Sequence, residues 1–155
     1  MPPKNVSMSP PTILSEHEIE IRVRYQETDG QGRLHHANYF TYFEMGRTEL
    51  LRASGTTYRE FEAAGLMLVV AEISCEYLGA AQYDDLLKLR TRTKTARGAR
   101  VEHEYEVFRD SALVARGRSV VACINQQGRA TRLPEFLLGP AATEEASGEE
   151  TVAHS

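Results

Sequence analysis

Asp29 and His36 stand seven residues apart, in a polar, glycine-rich stretch (Gln26-Glu27-Thr28-Asp29-Gly30-Gln31-Gly32) that leads into the longest helical pattern of the chain. A carboxylate and an imidazole therefore sit in the loop that feeds a helix N-terminus. Such a terminus presents unpaired backbone N–H groups and a partial positive charge, which suits a developing oxyanion. A plainer reading competes with this one. Asp29-Gly30 can be no more than a turn, or a cap for backbone amides, and a lone histidine at a helix start is often structural. His35 and His36 are adjacent, so their side chains are expected to diverge, and no further Cys, His, Asp or Glu cluster at ligand spacing supports a metal site. Neither a Gly-x-Ser-x-Gly elbow nor a Walker-type phosphate loop is present. Tyr25 and Tyr39 fit core or cleft lining equally well. Glu44 and Glu49 read as surface or interface charges beside Arg47 and Arg52, Glu44 being the one other carboxylate that could border a cleft. His17, His103 and His154 carry no signal.

The elements around this stretch follow from periodicity. Ile19, Ile21, Val23 and Tyr25 alternate with Glu18, Glu20, Arg22 and Arg24, which predicts a half-buried strand over 18–25. Over 36–53 the period becomes helical, with Tyr39, Phe43, Gly46, Leu50 and Ala53 on one face, Tyr42 and Leu51 flanking it, and Gly55 as the stop. Gly46 is costly inside a helix and points to a close approach of sheet to helix. A short second helix is expected over 57–64. Strand patterns then cover 66–78, 86–97, 101–109 and 113–125, joined by short turns that imply antiparallel pairing. The basic residues of 86–97 and the acidic ones of 101–109 should pair across the ladder on a solvated face. One long helix cannot cover both faces of five strands, so the sheet must curve around it, an α+β architecture. Long strands leave an edge that a second copy can pair, so a homodimer at least is expected.

Composition bounds the rest. The 155 residues are 41% hydrophobic and 26% charged, enough for one domain with a real core. The net charge of −4 resides in Glu144, Glu145, Glu149 and Glu150; without them 18 acidic residues face 18 basic ones. No basic field for nucleic acid is visible. Cys75 and Cys123 lie in apolar runs and read as buried, reduced thiols. No apolar run reaches the roughly 18 residues of a membrane span, so a cytoplasmic protein without membrane insertion is expected. Residues 1–15 read as a flexible leader, 16–138 as the single domain, and 139–155 as a disordered acidic tail.

Tyr25, Glu27-Thr28-Asp29, Gly32 and His36-Ala37-Asn38-Tyr39 together resemble the signature of the 4-hydroxybenzoyl-CoA thioesterase family, nearest to the short acyl-CoA thioesterases associated with the Tol–Pal envelope system. Phe43-Glu44, Arg47-Thr48-Glu49, Tyr83-Asp84-Asp85 and Leu133-Pro134 extend the likeness over about residues 18–137. The resemblance implies a hot-dog fold, a curved antiparallel sheet around one long helix, with active sites at subunit interfaces of a dimer or dimer of dimers. It implies an acyl-CoA thioesterase needing no cofactor. Asp29 would be the nucleophile or the general base on water, and backbone N–H groups from His36 to Tyr39 would polarise the thioester carbonyl. His36 would orient substrate or assist proton transfer, and Tyr25, Gly32, Asn38 and Tyr39 would border the substrate. Arg97 and Arg100, flanking Gly98, fit contacts to the CoA phosphates or simply a solvated turn. Gln31, Arg33 and His35 depart from the family pattern, so no acyl specificity is carried over. The alternative is a hot-dog domain that binds acyl-CoA or an acyl carrier without turnover. Hydratase chemistry would place its acid and histidine differently.

Overall fold

The computed structural model describes residues 13–138; the expected acidic tail and most of the expected leader lie outside the described residues. The packed domain begins earlier than residue 16. Ile13 is buried, the Leu14 N–H donates to the Ser54 hydroxyl at 2.9 Å, and the Ser15 carbonyl accepts from the Thr93 N–H at 2.8 Å.

The elements run β1 (Glu16–Arg22), α1 (Asn38–Ala53), α2 (Tyr58–Ala63), β2 (Met67–Tyr77), β3 (Leu86–Arg97), β4 (Arg100–Arg109) and β5 (Ala112–Ile124). The strands form one antiparallel sheet in the order β1-β3-β4-β5-β2. Helix α1 packs on β1, β2 and β3, while Phe43 stacks on Tyr105 of β4 at 4.3 Å and presses against Gly117 of β5. One helix reaching all five strands requires the sheet to wrap it, which is the α+β architecture that the patterning called for. Gly46 is a point of close approach between helix and sheet: a Cβ there would stand 2.8 Å from Leu89 Cδ2 and nearer still to Thr91 Oγ1.

One boundary and one buried position differ from the sequence reading, each for a local reason. β1 stops at Arg22 and Tyr25 opens a 3-10 turn, Tyr25–Glu27, because the Glu27 carboxylate folds back to accept the Arg24 N–H at 2.8 Å. Tyr25 is therefore 76% exposed and meets Tyr83 edge-on rather than joining the buried face of a strand. At the end of α1 it is Ser54, not Ala53, that turns inward, donating its hydroxyl to the Leu50 carbonyl at 2.7 Å.

The buried side chains form two clusters. One gathers Tyr39, Tyr42 and Phe43 of α1 with Leu87, Leu89 and Val107; the other gathers Leu51 and Phe61 with Val101, Val121, Leu133 and Leu137. Between them the inner face of the sheet carries a polar belt of Thr91, Thr93, His103 and Ser119, all buried. The outer face is a charge ladder. Arg90 lies 3.6 Å from both Glu18 of β1 and Glu106 of β4, and Glu102 receives Lys94 at 3.9 Å and Arg118 at 3.2 Å. Arg116 closes the ladder on Glu76 of β2 at 3.0 Å, so acidic and basic strands alternate across the sheet. Each exposed pair contributes only a few tenths of a kcal/mol, and their sum favours this register. The two edges differ: β1 is seven residues long and carries Glu16, Glu18 and Glu20, while β2 exposes Met67, Val69, Val70 and Tyr77.

Candidate active site

Asp29 sits at the tip of a small hairpin that connects the 3-10 turn to α1. Thr28 bridges Leu34, the Asp29 N–H donates to the Arg33 carbonyl at 2.8 Å, and the Gly32 N–H returns to the Asp29 carbonyl at 3.0 Å. Gly32 has φ +79°, a left-handed conformation that favours glycine and lets this turn close. The hairpin is anchored below by Glu27. Its backbone carbonyl accepts both the His35 N–H at 2.8 Å and the Asn38 side-chain amide at 2.9 Å. Its buried carboxylate accepts from the Tyr42 hydroxyl at 2.7 Å and from Arg24. Burial pushes the Glu27 pKa up, but the Arg24 N–H, the Tyr42 hydroxyl and the Arg24 guanidinium outweigh it, so this carboxyl lies below its ordinary value.

The Asp29 carboxylate is held by its own loop. Oδ1 accepts the backbone N–H groups of Gln31 at 2.9 Å and Arg33 at 3.1 Å. Those two bonds lower its pKa most; weak desolvation opposes them, and the nearby His35 and Arg33 add to the lowering. Asp29 is therefore ionised at neutral pH. The histidine in its electrostatic field is His35 rather than His36.

The expected divergence of the two histidines is not found. Their rings stack at 4.2 Å with a 24° interplanar angle. The cause is local: His35 Nδ1 accepts the Ala37 N–H at 3.1 Å, folding the first imidazole back over the helix entrance beside the second. His36 is exposed, edge-on to Tyr77, and its carbonyl accepts the Tyr77 hydroxyl at 3.0 Å. Tyr39 lies beneath, edge-on to Tyr77 at 5.2 Å; burial pushes its pKa up to about 12, which keeps it a neutral phenol.

The backbone donors of the helix entrance are largely spent within it. The Asn38 N–H goes to the His35 carbonyl at 3.0 Å, Phe40 to Ala37 at 3.3 Å, and Tyr39 to His36 at a long 3.4 Å. Among the described residues nothing accepts from the His36 N–H. Of the span from His36 to Tyr39, the His36 N–H and the Tyr39 N–H, at its long 3.4 Å, are thus the donors not firmly bonded within the entrance.

Asp29, Gly32, His36, Asn38 and Tyr39 are brought together by the hairpin and the α1 entrance, and Tyr25 flanks them on the surface. Arg97 and Arg100 are not. They lie at the other end of β3, about 35 Å along the strand from its start beside the hairpin, and Arg100 pairs with Glu72 at 3.2 Å. Within one chain they share no site with Asp29. Sequence reasoning missed Tyr77 and the part played by His35: Tyr77 looked like one more alternating strand residue, and the capping role of a His Nδ1 leaves no trace in spacing.

Comparison with known proteins accords with this geometry. Residues 23–140 match the Thioesterase-like superfamily. The chain is 34% identical over 106 residues to the acyl-CoA thioesterase YbgC of Haemophilus influenzae, covering 68% of this chain and 78% of that protein. The crystal structure of the DHNA-CoA thioesterase from Staphylococcus aureus superposes with a TM-score of 0.75 at 26% identity, over 90% of this chain and 93% of the other. The gentisyl-coenzyme A thioesterase BH1999, 17% identical, shares the fold with a TM-score of 0.73 over 77% of this chain and 98% of the other. The Asp29 hairpin and the α1 entrance both fall inside the matched span, and the chain belongs to the Thioesterase-like superfamily with its hot-dog fold.

Proposed function

We propose that this chain hydrolyses the thioester of an acyl-CoA to the free acid and CoA, with Asp29 as the reacting carboxylate. The observation that carries the reading is the state of Asp29, ionised and oriented by two loop N–H groups beside a helix entrance. Both of those bonds fall on Oδ1, so Oδ2 is the oxygen that the loop leaves without a hydrogen bond. Held ionised, the carboxylate could attack the thioester carbon through Oδ2 or take a proton from water, and the direct attack is the course followed here. The carbonyl oxygen, as it gains charge, would take the His36 N–H and draw the Tyr39 N–H from its long bond, helped by the α1 dipole. Thiolate departs without a protonating acid. Water then cleaves the acyl-aspartyl anhydride, and the exposed His36 imidazole would accept its proton, the part the family resemblance implies for it. The assignment to CoA rests on the named activity of the Haemophilus relative.

The edge strand β2 supports a second part of the proposal, pairing of two copies through β2. An exposed apolar edge is a liability that pairing removes, whereas the acidic, short β1 edge is already protected. Antiparallel pairing of β2 with itself would set the Tyr77 end of one copy against the Met67 end of the other. The β3–β4 hairpin lies at that Met67 end, since Val69 pairs with Ala122 and Ala122 with Arg100. Arg97 and Arg100 of one copy would then approach the Asp29 hairpin of the other, where the phosphates of CoA would lie.

Free-thiol release from short, long and aromatic acyl-CoAs tests the reading. Turnover of any of them supports hydrolysis. Saturable binding of acyl-CoA with no thiol released would instead establish a non-catalytic acyl-CoA or acyl-carrier domain.

A further inference from the structure

A cavity of about 390 Å3 opens between α1 and the inner face of the sheet, walled mainly by Leu50, Leu51, Leu68, Val70, Val101 and Val121. Its volume falls in the range of small-molecule pockets. An apolar void of this kind needs no polar groups, yet the belt between the two core clusters supplies several. Thr93 and His103 line the cavity and are 5% and 7% exposed, and neither Thr93 Oγ1 nor His103 Nδ1 has a hydrogen-bond partner. Arg47 also lines it; its guanidinium donates to the Tyr105 hydroxyl at 3.2 Å and has no carboxylate within ion-pair distance among the described residues. The Tyr105 hydroxyl is in turn bonded to Ser119 at 2.5 Å. Glu44 stands on the cavity wall too, exposed, so one acidic and one basic residue border the space.

Buried polar atoms left without partners are costly, and a ligand that pairs them recovers that cost. We infer that the cavity is an acyl subsite built for a chain bearing a hydroxyl or oxo oxygen, which Thr93, His103 and Arg47 would hydrogen-bond. This rests on the proposed thioester hydrolysis only for the ligand being an acyl group. The opposed charges of Glu44 and Arg47 favour a neutral oxygen over a carboxylate. The depth follows from the helix. Glu44 and Arg47 lie six and nine residues beyond Asn38, about 9 to 14 Å along α1. For a chain lying alongside α1, at about 1.2 Å per bond, that corresponds to an oxygen roughly seven to eleven bonds from the thioester.

The test is calorimetric titration of the full chain with 10-hydroxydecanoic acid and with decanoic acid, run beside thiol release from the corresponding acyl-CoAs. The hydroxy acid should bind about tenfold tighter, the worth of one well-made hydrogen bond. Thr93→Val, which keeps shape and removes the hydroxyl, should bring the ratio close to one. Thr91→Val is the control, because Thr91 Oγ1 is equally buried and unpartnered but does not line the cavity; its ratio should match wild type. Equal affinity for the two acids in wild type, or loss of the preference in Thr91→Val as well, overturns the proposal whether or not thiol is released. Selective binding without any thiol release would leave the subsite standing and remove the hydrolase reading.

Discussion

Replacing Gly46 by alanine sets two effects of opposite sign against each other. Inside a helix, alanine is favoured over glycine by about 1 kcal/mol. Against this, the new methyl would meet Leu89 Cδ2 at 2.8 Å and crowd Thr91 Oγ1 more closely still, both on β3. Leu89 is 1% exposed and Thr91 fully buried, so neither can swing into solvent. Overpacking of this kind costs about 1–3 kcal/mol for one clash, and two fixed neighbours put Gly46→Ala toward the upper part of that range. The net expectation is a loss of about 1–2 kcal/mol. Thr91 Oγ1 has no hydrogen-bond partner, so Thr91→Ala removes the tighter obstacle without orphaning another group. In that background the penalty for Gly46→Ala should shrink, giving a favourable coupling of about 1 kcal/mol. Urea unfolding followed by circular dichroism measures all four corners of the cycle, compared through the midpoint at constant m-value. One fixed protein concentration is needed, because association would link stability to concentration. A Gly46→Ala protein as stable as wild type, or a cycle with no coupling, would refute the claim that helix–sheet contact at this residue sets the spacing.

Three further outcomes are expected. Glu27→Ala strips partners from the Tyr42 hydroxyl and the Arg24 N–H and should cost about 2–4 kcal/mol in urea unfolding. Because the folded pKa of Glu27 is lowered, its contribution should be present above the unfolded carboxyl value of about 4.3 and fade as pH falls through the folded value; an unchanged acid limb in the variant would contradict this. Burial and the charge of Arg47 push His103 down to about 3. The unfolded chain then takes up a proton below about pH 6.5 that the folded one refuses, so stability should fall from there downward by up to about 1.4 kcal/mol per pH unit. His103→Leu should flatten that slope between pH 6.5 and 5, and identical slopes would sink the explanation. Val69→Lys, placed on the exposed β2 edge, should reduce the mass measured by light scattering to that of a single chain, whereas an unaltered assembly would exclude pairing through β2.

Strands and helices were legible because their periods are physical. The alternation in 86–97 and 101–109 reports which face meets water, and the charges it left outside form the observed ladder. Gly46 was legible too, as a cost that only a close contact explains. What the sequence hid were places where a side chain competes with the backbone. Glu27 folds onto the Arg24 N–H and ends β1 three residues before its alternation does, carrying Tyr25 to the surface. His35 caps the Ala37 N–H and so comes to lie against His36 instead of away from it. Asp29 and the helix entrance could be read from the motif, but not that most of the entrance N–H groups are already engaged. His103 looked inert because nothing in a strand pattern distinguishes a paired buried histidine from an unpaired one.

The central claim is that Asp29 carries the chemistry, and thiol release by wild type and Asp29→Asn, assayed side by side on the best acyl-CoA, tests it most directly. The amide keeps the shape and its oxygen can still accept the Gln31 and Arg33 N–H groups, while losing the charge that attacks or deprotonates. A fall in kcat of about a hundredfold or more, with the fold intact by circular dichroism, is the predicted result. Turnover by Asp29→Asn at the wild-type rate would contradict the account and move the chemistry away from this hairpin.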